Sequence, residues 1–466
     1  DTERLPVSIA VLPVEKITPE MEQWFVDGVH GELINALQNI GAFRVISRST
    51  MMAFDDANKT IPEVAGEIGV SHIIEAEASR IGNELKISVR LIDASKDEVL
   101  WSRSFEHGFE NFHVLQTEIA RGIAEETHVK LMPGEVSRLA DSQAVPEQAV
   151  EAYLRGRFEW AKRTNESLEQ AIAYFSQALA IEPAYAKAYA GMADAYTLAG
   201  IGYANFISRD DGYALARENA LKALAIDSAL AEAYVPLAQY RWRVERNRSE
   251  AEKLLQRAIA LNPSYATAYE YYGAFFLMDE RRFDEAMAAL RTAESLDPLS
   301  LSIKLGIGWI FERSQEFDKA IAQYQSIIEM DPSFFMGYYN LGFVYNAIGR
   351  YAQAIPVLEK AHSINATFFV KGQLGYAYAK SGNHARAVEI RDELLQLYEQ
   401  GNIREGPIAW IYLGLGDYDE ALTWLEKSSA RGGRFMASNN FDQPPWDPLR
   451  SNPRFVKLFE NTRANK

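Results

Sequence analysis

The chain has 466 residues, no cysteine and a formal net charge of −16, and 48% of its residues are hydrophobic. This length can hold two or more domains with substantial cores, and the missing cysteine excludes thiol catalysis, disulfides and thiolate zinc sites. The negative charge, without any strongly basic stretch, argues against nucleic-acid binding through this chain. We find no run of about 18 apolar residues and so expect no membrane span. The chain opens without an initiator Met or a signal peptide, so we expect a fragment or a processed form.

Residues 1–131 predict an α/β domain with a mixed sheet. The predicted elements, in chain order, are a strand at 8–14, a helix at 20–40, a strand at 44–47, a helix at 62–68, strands at 72–81, 85–92 and 99–105, and a helix from 109 to 131. Leu85, Ile87 and Val89 alternate with polar residues, which predicts one buried and one solvated sheet face. The order β-α-β-α-β-β-β-α is typical of a layered α/β architecture.

These segments resemble a TolB-like amino-terminal domain. The strings SIAVLPV, FVDGVHGELINAL, FRVISRST, EIGVSHIIEAEASRIGNELKISVRLIDASKDEVLWSRSFE and VLQTEIARGIA follow one another as in that family. One departure is Val14-Glu15-Lys16, where the family usually has Phe-x-Asn. The resemblance implies fusion to a tetratricopeptide array in a bacterial membrane signalling protein, either a ToxR-like winged-helix regulator or an adenylate cyclase. It also implies a periplasmic location, with a cytoplasmic one as the alternative.

A regular spacing of prolines follows a linker predicted at 132–148, where small and polar residues are frequent. Pro263, Pro298 and Pro332 each end a helical segment, and an alanine lies twelve residues before each of them. The spacings are 35 (298 − 263) and 34 (332 − 298) residues. A period of this size is typical of a helical solenoid, which we predict for residues 149–432.

The repeated segments resemble tetratricopeptide repeats, whose first helix carries a Leu-Gly/Ala pair followed three residues later by an aromatic residue. Leu341-Gly342 with Tyr345 is the cleanest match. Small residues at this position let two helices approach within about 8–10 Å. The predicted fold is therefore α/β plus all-α, an amino-terminal mixed-sheet domain followed by an α-solenoid of about eight hairpins. The small residues of the eight hairpins are Gly156, Ala193, Ala238, Gly273, Gly308, Gly342, Gly375 and Ala409.

Two segments depart from the repeat. Residues 201–211 lengthen the second hairpin and predict either a longer turn with Tyr203 and Phe206 packed on the surface, or a contact loop for a partner. Residues 433–466 predict a loop and a capping helix, which a solenoid end needs. In that helix we expect Phe455, Leu458 and Phe459 to cover the last hairpin.

The first helices supply the candidate binding residues. In a tetratricopeptide array these helices line the groove, and helical spacing from the small residues points one set of side chains inward. Aromatic side chains with a few polar groups suit a peptide or glycan, and the alternative is that several of them pack between hairpins. Trp242, Trp309 and Asn346 are favoured, and Asp194 lies on the same face. The full predicted set is Arg157, Trp160, Gln239, Trp242, Trp309, Glu312, Tyr339, Phe343, Asn346 and Tyr376.

No motif in the sequence supports catalysis. The seven histidines lack the spacing of a metal site, and the glycines at 306–308 lie in a repeat helix without the rest of a nucleotide loop. We therefore predict no catalytic residue, metal or cofactor. The predicted function is a non-enzymatic sensory and protein-interaction region that controls an upstream effector. The first choice of effector is a ToxR-like winged-helix regulator. The alternatives are attachment to an adenylate cyclase, a permanent scaffold, and an enzyme with an unrecognised site.

The expected partner is a protein or peptide, with a small ligand as a further option. No nucleic acid is expected to bind through this chain. Solenoids and TolB-like domains both permit a homodimer.

Overall fold

The computed structural model describes residues 6–18, 21–55, 59–82, 84–108, 111–140, 145–201, 206–401, 403–430 and 443–464. An amino-terminal mixed sheet with helices is followed by a long array of helical hairpins, which confirms the predicted fold class. The chain divides into two compact units. Unit 1 comprises residues 1–280 and 288–300, and unit 2 comprises residues 281–287 and 301–466.

The amino-terminal sheet has the strand order β3-β1-β4-β5-β6. Pairing is parallel from β3 through β1 to β4 and antiparallel from β4 to β6, while the short β2 runs parallel to β4. The elements are β1 (Val7–Val11), β2 (Glu15–Lys16), α1 (Gln23–Gln38), β3 (Phe43–Val45), α2 (Arg48–Met52), α3 (Ile61–Ile68), β4 (His72–Ile81), β5 (Glu84–Asp93), β6 (Glu98–Gly108), α4 (Phe112–Glu126) and α5 (Pro133–Ala140).

The predicted alternation in β5 is confirmed. Leu85, Ile87 and Val89 are buried, whereas Lys86 and Arg90 are exposed. The buried face forms a core with α1 and α4.

Three amino-terminal elements were not predicted: β2, α2 and α5. Helix α2 forms because the Ser47 hydroxyl accepts a hydrogen bond from the Thr50 N–H and so caps the first turn. Helix α5 lies in the predicted linker, and α4 ends at Glu126, before the predicted end at 131.

In the described residues from 145 to 430, the array contains sixteen paired helices, hence eight hairpins. The helices are α6 (Glu147–Lys162), α7 (Asn165–Ile181), α8 (Ala186–Ile201), α9 (Arg209–Ile226), α10 (Tyr234–Arg243), α11 (Arg248–Leu261), α12 (Ala266–Glu270, continued by a π-helix over Tyr271–Leu277), α13 (Phe283–Leu296), α14 (Leu301–Arg313), α15 (Phe317–Met330), α16 (Phe335–Ala347), α17 (Tyr351–Ile364), α18 (Phe368–Lys380), α19 (His384–Glu399), α20 (Gly406–Leu415) and α21 (Tyr418–Ala430). A 3-10 turn at Ala231–Ala233 precedes α10.

The small residues of the first helices are required by close helix contacts. A Cβ atom on Gly156 would lie 2.6 Å from the Phe175 ring, and one on Gly342 would lie 2.5 Å from Leu358. Both distances are shorter than van der Waals contact. The steric reason for the repeat signature is therefore visible in both units.

The two irregular segments are described in part. In the second hairpin Phe206 is half-buried against Leu168 and Leu198, while Tyr203 lies outside the described residues. After residue 442 a 3-10 segment (Pro444–Leu449) leads into α22 (Pro453–Ala464). In α22, Phe455 and Leu458 are buried in the core of unit 2, and the side chain of Phe459 lies outside the described residues.

Candidate functional site

One position of the repeat changes its chemistry along the array. It is the residue that directly follows the small residue of each first helix. In unit 1 the first three hairpins carry charged or amide side chains at this position, and the fourth carries an alanine. In unit 2 all four hairpins carry aromatic rings there. In chain order the residues are Arg157, Asp194, Gln239, Ala274, Trp309, Phe343, Tyr376 and Trp410.

In unit 1 the amino-terminal region is hydrogen-bonded to the turns between hairpins. The Ser264 hydroxyl donates to the Phe43 carbonyl at 2.9 Å and accepts the Val45 N–H at 3.2 Å. The Arg44 guanidinium donates to the Ser295 carbonyl at 2.7 Å. Strand β3 is therefore attached to the turn after α11, in the third hairpin, and to the last turn of α13, in the fourth.

A second set of bonds joins the start of α2 to the turn before Pro298. The carboxylate of Asp297 accepts the hydroxyls of Ser49 and Thr50, both at 2.6 Å. The Ser47 N–H donates to the Leu296 carbonyl at 2.8 Å. The segment RVISRST, of which the sequence predicted only residues 44–47 as a strand, thus attaches the sheet region to the array.

Helix α1 meets the first two hairpins through a buried carboxylate. Glu32 accepts hydrogen bonds from Tyr153 OH at 3.1 Å and Asn35 at 3.0 Å, and its other oxygen lies 2.5 Å from Lys187 Nζ and 3.4 Å from Gln116 Nε2. Burial alone raises the pKa of Glu32, but Lys187 and these donors outweigh it, so the pKa lies below its usual value. Glu32 thereby holds an ion pair between α1 and α8.

Next to this pair, Arg157 of α6 and Asp194 of α8 form a looser one. Their closest nitrogen and oxygen are 3.4 Å apart, and the guanidinium lies over the Trp160 ring, 4.4 Å from its centroid. Burial raises the pKa of Asp194 to about 7, against the opposing effect of Arg157. The ion pair with Arg157 therefore offsets only part of the cost of burying the Asp194 carboxylate.

Glu232, in the 3-10 turn before α10, faces the same group of charges. Burial raises its pKa, and it interacts electrostatically with Lys187, Arg157 and Glu32. Its carboxylate accepts a hydrogen bond from its own backbone N–H, which lowers the pKa and offsets part of the effect of burial. Burial raises the pKa of the Tyr265 phenol, and the negative charges of Asp194 and Glu232 add to this effect.

Most of these side chains are not sealed in a dry core. Burial is the largest influence on the pKa of Lys187, Arg157 and Asp194, so protein surrounds them closely. Their side chains nevertheless keep 39%, 31% and 14% of their accessible surface. Solvent therefore reaches these side chains, although protein lies close around them. We call Glu32, Arg157, Lys187, Asp194 and Glu232 the charged cavity.

The other predicted residues of unit 1 lie apart from these ion pairs. Trp242 is buried, with Arg243 4.1 Å over its ring and Phe276 6.0 Å away. Gln239 is 0% exposed and its Oε1 accepts from Arg243 at 2.8 Å. Its Nε2 has no hydrogen-bond partner in the described part of the chain. Trp160 stacks on Arg157, so of this group only Arg157 and Trp160 adjoin the charged cavity.

In unit 2 the predicted residues are mostly packed or hydrogen-bonded. Trp309 Nε1 donates to Asn340 at 3.0 Å, and Asn346, almost fully buried, donates to the Gln373 carbonyl at 3.0 Å. Glu312 is buried and accepts from the Tyr324 hydroxyl at 3.1 Å. These polar contacts hold neighbouring helices together.

The aromatic members of unit 2 form a cluster around Trp410. Phe343 and Tyr376 lie edge-on to its ring at 5.8 and 5.3 Å. Tyr339 is half-buried, and burial raises its pKa above the usual value, with a smaller effect from Glu312. A binding role for these residues stays a prediction.

The carboxyl-terminal segment fills this aromatic face. Trp446 is 0% exposed and its ring centroid lies 4.5 Å from that of Trp410. Gln443, also fully buried, donates from Nε2 to the Glu312 carbonyl at 3.1 Å. The face that the sequence suggested as a groove for a partner is thus occupied here by the chain itself.

Sequence reasoning missed the residues that join the sheet region to the array: Glu32, Lys187, Glu232, Ser264 and Asp297. One signal was available for Glu32, because a charged residue directly beside Leu33 in the apolar stripe of α1 predicts a buried ion pair. The partner could not be found, since nothing in the pattern places α8 next to α1. Within the described part of the chain, no three His, Asp or Glu side chains are grouped so that they could hold a metal ion.

Family comparisons agree with the two-part organisation. Residues 5–122 match the second domain of HilA/YgeH-like transcriptional regulators. Tetratricopeptide repeat models match residues 235–301, 301–334, 323–355 and 409–427. The repeat prediction is confirmed, and the amino-terminal region resembles a regulator domain; a TolB-like identity is not confirmed by these matches.

One curated relative and several solved structures are similar over parts of the chain. Putative adenylate cyclase 3 of Rhizobium meliloti (strain 1021) is 29% identical over 186 residues, which are 40% of this chain and 32% of that protein. This chain therefore matches about a third of that relative's length. The Cut9-Hcn1 hetero-tetramer of the APC/C gives a TM-score of 0.47 at 16% identity, covering 76% of this chain and 63% of that one. PilF of Pseudomonas aeruginosa gives 0.37 at 19% identity, covering 44% and 92%.

A regulator-like domain, an interaction array and a cyclase relative together fit a regulatory or signalling protein. Tetratricopeptide proteins bind proteins or peptides, so the array is a protein-interaction scaffold. None of the helices described here is both long and apolar enough to cross a bilayer.

Proposed function

We propose that this chain is the non-enzymatic sensory region of a bacterial membrane signalling protein, and that ligands bind in the charged cavity of unit 1. The observation that carries the proposal is that α1 of the regulator-like region meets the first helices of the array at partly exposed ion pairs, Glu32 with Lys187 and, beside it, Arg157 with Asp194. A ligand there contacts both parts at once. Its binding energy can therefore change how the two parts are held together.

The bonds around the cavity support such coupling. The sheet region is attached at the cavity through Glu32 and Lys187, and at the repeat turns through Ser264 and Asp297. A ligand that competes for Lys187 or Arg157 alters the first attachment and leaves the second in place. Such a change moves α1 relative to α6 and α8. The contact between these helices is then an element with two arrangements, which a signal requires.

The effector is proposed from resemblance. A ToxR-like winged-helix regulator is the first choice, supported by the HilA/YgeH-like match at residues 5–122. An adenylate cyclase is the second, supported by the 29% identical relative. The periplasmic location and the TolB-like identity belong to the same proposal. Finding neither a membrane segment nor an effector domain in the full-length gene would remove this part of it.

A permanent scaffold is the competing function, because unit 2 already holds its own carboxyl-terminal segment in a buried site. A scaffold holds a protein segment without switching. A ligand-dependent change in oligomeric state or in hydrogen exchange of α1 favours the sensor, and a ligand-independent complex favours the scaffold.

The test is a thermal-shift screen of the chain against sugars, amino acids, amines, small organic acids and short peptides. A ligand at 100 times its Kd stabilises the folded chain by about 2.7 kcal/mol, which a melting curve resolves. Every hit is repeated on Arg157→Leu and on Arg155→Leu. Arg157 faces the cavity, whereas Arg155, on the same helix, lies over Trp24 and pairs with Glu22.

A hit that is lost in Arg157→Leu and kept in Arg155→Leu supports a sensor with its site in the charged cavity. Hits that both variants keep place binding elsewhere. Complete absence of hits across the screen contradicts a small-molecule sensor and favours the scaffold.

A further inference from the structure

Residues 443–449 of the carboxyl-terminal segment are built like a short peptide ligand. Their sequence is QPPWDPL, and three of the seven residues are prolines, which have no backbone N–H to donate. The Trp446 N–H donates to the Gln443 carbonyl at 3.1 Å, so the segment closes its own 3-10 turn. The segment is therefore ordered locally and contacts the array through its side chains. We call residues 443–449 the internal motif.

Three side chains of the internal motif are spaced so that they lie on one face. Gln443, Trp446 and Leu449 follow one another at intervals of three residues, which is one turn of a 3-10 helix. All three are at most 1% exposed, whereas Asp447 and Pro448 are exposed. Regularly spaced anchors on one buried face are the means by which grooves recognise short protein segments.

The internal motif lies on the first-helix face of unit 2. The ring centroid of Trp446 is 4.5 Å from that of Trp410 in α20. At the other end of the motif, Gln443 donates from Nε2 to the Glu312 carbonyl at 3.1 Å. Glu312 is in the last turn of α14, where carbonyls have no partner within the helix and are available to a ligand.

These two contacts show that the site is short. Helix α14 belongs to the fifth hairpin and α20 to the eighth, yet their contacts are only three residues apart in the motif (446 − 443). Three residues of 3-10 helix rise by about 6 Å. The first helices of the fifth and eighth hairpins therefore converge on a site that fits one short segment.

The cap of the array has attachments of its own. The guanidinium of Arg454, in α22, donates to the Glu426 carboxylate at 2.9 and 2.8 Å and to the Thr423 hydroxyl at 3.1 Å, both in α21. Residues 431–452 connect these two helices, a length of 22 residues (452 − 430). Connections between helices usually have about 2–8 residues, and much longer ones are often functional. The helices at both ends of this connection are thus joined to each other without the motif.

The internal motif leaves one polar atom of its own unpaired. Gln443 is 0% exposed, and its Oε1 has no hydrogen-bond partner in the described residues. Burial of an acceptor without a donor is unfavourable. The motif is therefore bound less tightly than a fully paired ligand of the same shape.

We propose that the first-helix face of unit 2 binds a proline-rich segment of a partner protein with the spacing Gln-x-x-Trp-x-x-Leu, and that the internal motif competes for this site. The partner's glutamine donates to the Glu312 carbonyl, and its tryptophan packs on Trp410. A competitor on the same chain acts at an effective concentration of about 1 mM. Weak partners are therefore excluded, and a tightly binding one displaces the motif while α22 stays attached.

This proposal goes beyond the proposed function, since it concerns unit 2 and requires no ligand in the charged cavity. The two proposals can therefore fail separately.

The test is fluorescence anisotropy of a labelled peptide, QPPWDPLR (residues 443–450), with the whole chain and with Trp446→Ala. The substitution removes the largest side chain of the internal motif and leaves the residues of the face unchanged. The unchanged chain should bind the peptide weakly, because its own motif fills the site. Trp446→Ala should bind it more tightly by about tenfold or more. Val456→Ala, at an exposed position of α22, is the control and should behave as the unchanged chain.

Gln443→Glu provides a second chain with a vacated site if Trp446→Ala does not fold. It keeps the shape of the side chain but places a carboxylate against the Glu312 carbonyl, so it should also increase peptide binding. The same change in the peptide should weaken its binding to Trp446→Ala by about tenfold. A peptide with alanine in place of its tryptophan should not bind.

Three results would overturn the proposal. One is a peptide that binds none of the chains, although melting curves show that they fold. Another is equal binding to all chains, or binding of the alanine peptide, which places the contact elsewhere. The last is a dimer of the unchanged chain, seen by light scattering, that Trp446→Ala dissociates, because the occupant is then a second copy. The thermal-shift screen tests the ligand of unit 1 independently of these results.

Discussion

The first-helix faces of the two units differ, although the same repeat builds both. In unit 1 the position after the small residue carries Arg157 and Asp194, which form an ion pair that solvent reaches. In unit 2 the same position carries Phe343 and Trp410, which lie in a dry aromatic cluster closed by Trp446. The small residues fix helix packing in both units, so this neighbouring position is free to vary. The chemistry of each face matches the segment that covers it. Within unit 1, α1 meets the first two hairpins through charged side chains, and within unit 2 the carboxyl-terminal segment meets the hairpins through aromatic rings.

The largest expected effect comes from removing the ring that closes unit 2. Trp446→Ala should cost about 3–5 kcal/mol, because it empties a fully buried site between Trp410 and Phe455. Native-state hydrogen exchange of α20 and α21 measures the loss. Val456→Ala is the control, since Val456 is exposed on α22, the next helix of the carboxyl-terminal segment, and should change stability by less than about 0.5 kcal/mol. A cost below about 1 kcal/mol for Trp446→Ala would show that the face is open.

In unit 1, Asp194 should make the free energy of unfolding depend on pH. The folded chain raises the pKa of Asp194 from 3.8 to about 7, so the folded state holds this proton more tightly than the unfolded state. The contribution of Asp194 is therefore fully present below about pH 4 and is lost as the pH rises through 7, a change of about 2–4 kcal/mol. Asp194→Asn should remove this loss.

Urea unfolding at pH 4.5, 6 and 8 makes the comparison. The unchanged chain should lose stability relative to Asp194→Asn at each step upward. Parallel pH profiles for the two chains would mean that Asp194 is as well solvated as an ordinary surface carboxylate.

A smaller effect should be common to both units. Gly156→Ala in unit 1 and Gly342→Ala in unit 2 each place a Cβ atom too close to a buried side chain, and each should cost about 1–3 kcal/mol. Gly66→Ala in α3 is the control, because a Cβ there meets nothing within 4 Å. It should stabilise the chain by about 0.5–1 kcal/mol. Thermal melts rank the three variants, and a tolerated Gly156→Ala would mean that the two units are not packed by the same rule.

Sequence periodicity predicted the parts that depend on local pattern. The alternation around Ile87 and the small residues such as Gly342 each follow from packing between neighbours in sequence, and the structure confirms them. The ion pair of Glu32 with Lys187 joins residues 155 positions apart, and the bond of Thr50 with Asp297 joins residues 247 apart. No local pattern encodes such long-range pairs, which is why the charged cavity could not be predicted.

The groove prediction shows the same limit. Helical spacing placed Trp309 and Tyr376 on the first-helix face, but it could not say that the carboxyl-terminal segment packs on Trp410 in that face. Which segment packs on this face depends on a distant part of the chain, and a repeat pattern carries no information about it. In both units, therefore, the faces could be predicted from the sequence and their occupants could not.

The measurement that tests the account most directly is hydrogen exchange of the whole chain with and without a saturating ligand found in the thermal-shift screen. The account predicts slower exchange in α1, in α8 and around the turn at Ala231–Ala233, with no change in α16, α18 and α20. Protection in the unit 2 helices alone, or no protection anywhere, would contradict a ligand cavity shared by the regulator-like region and the first hairpins.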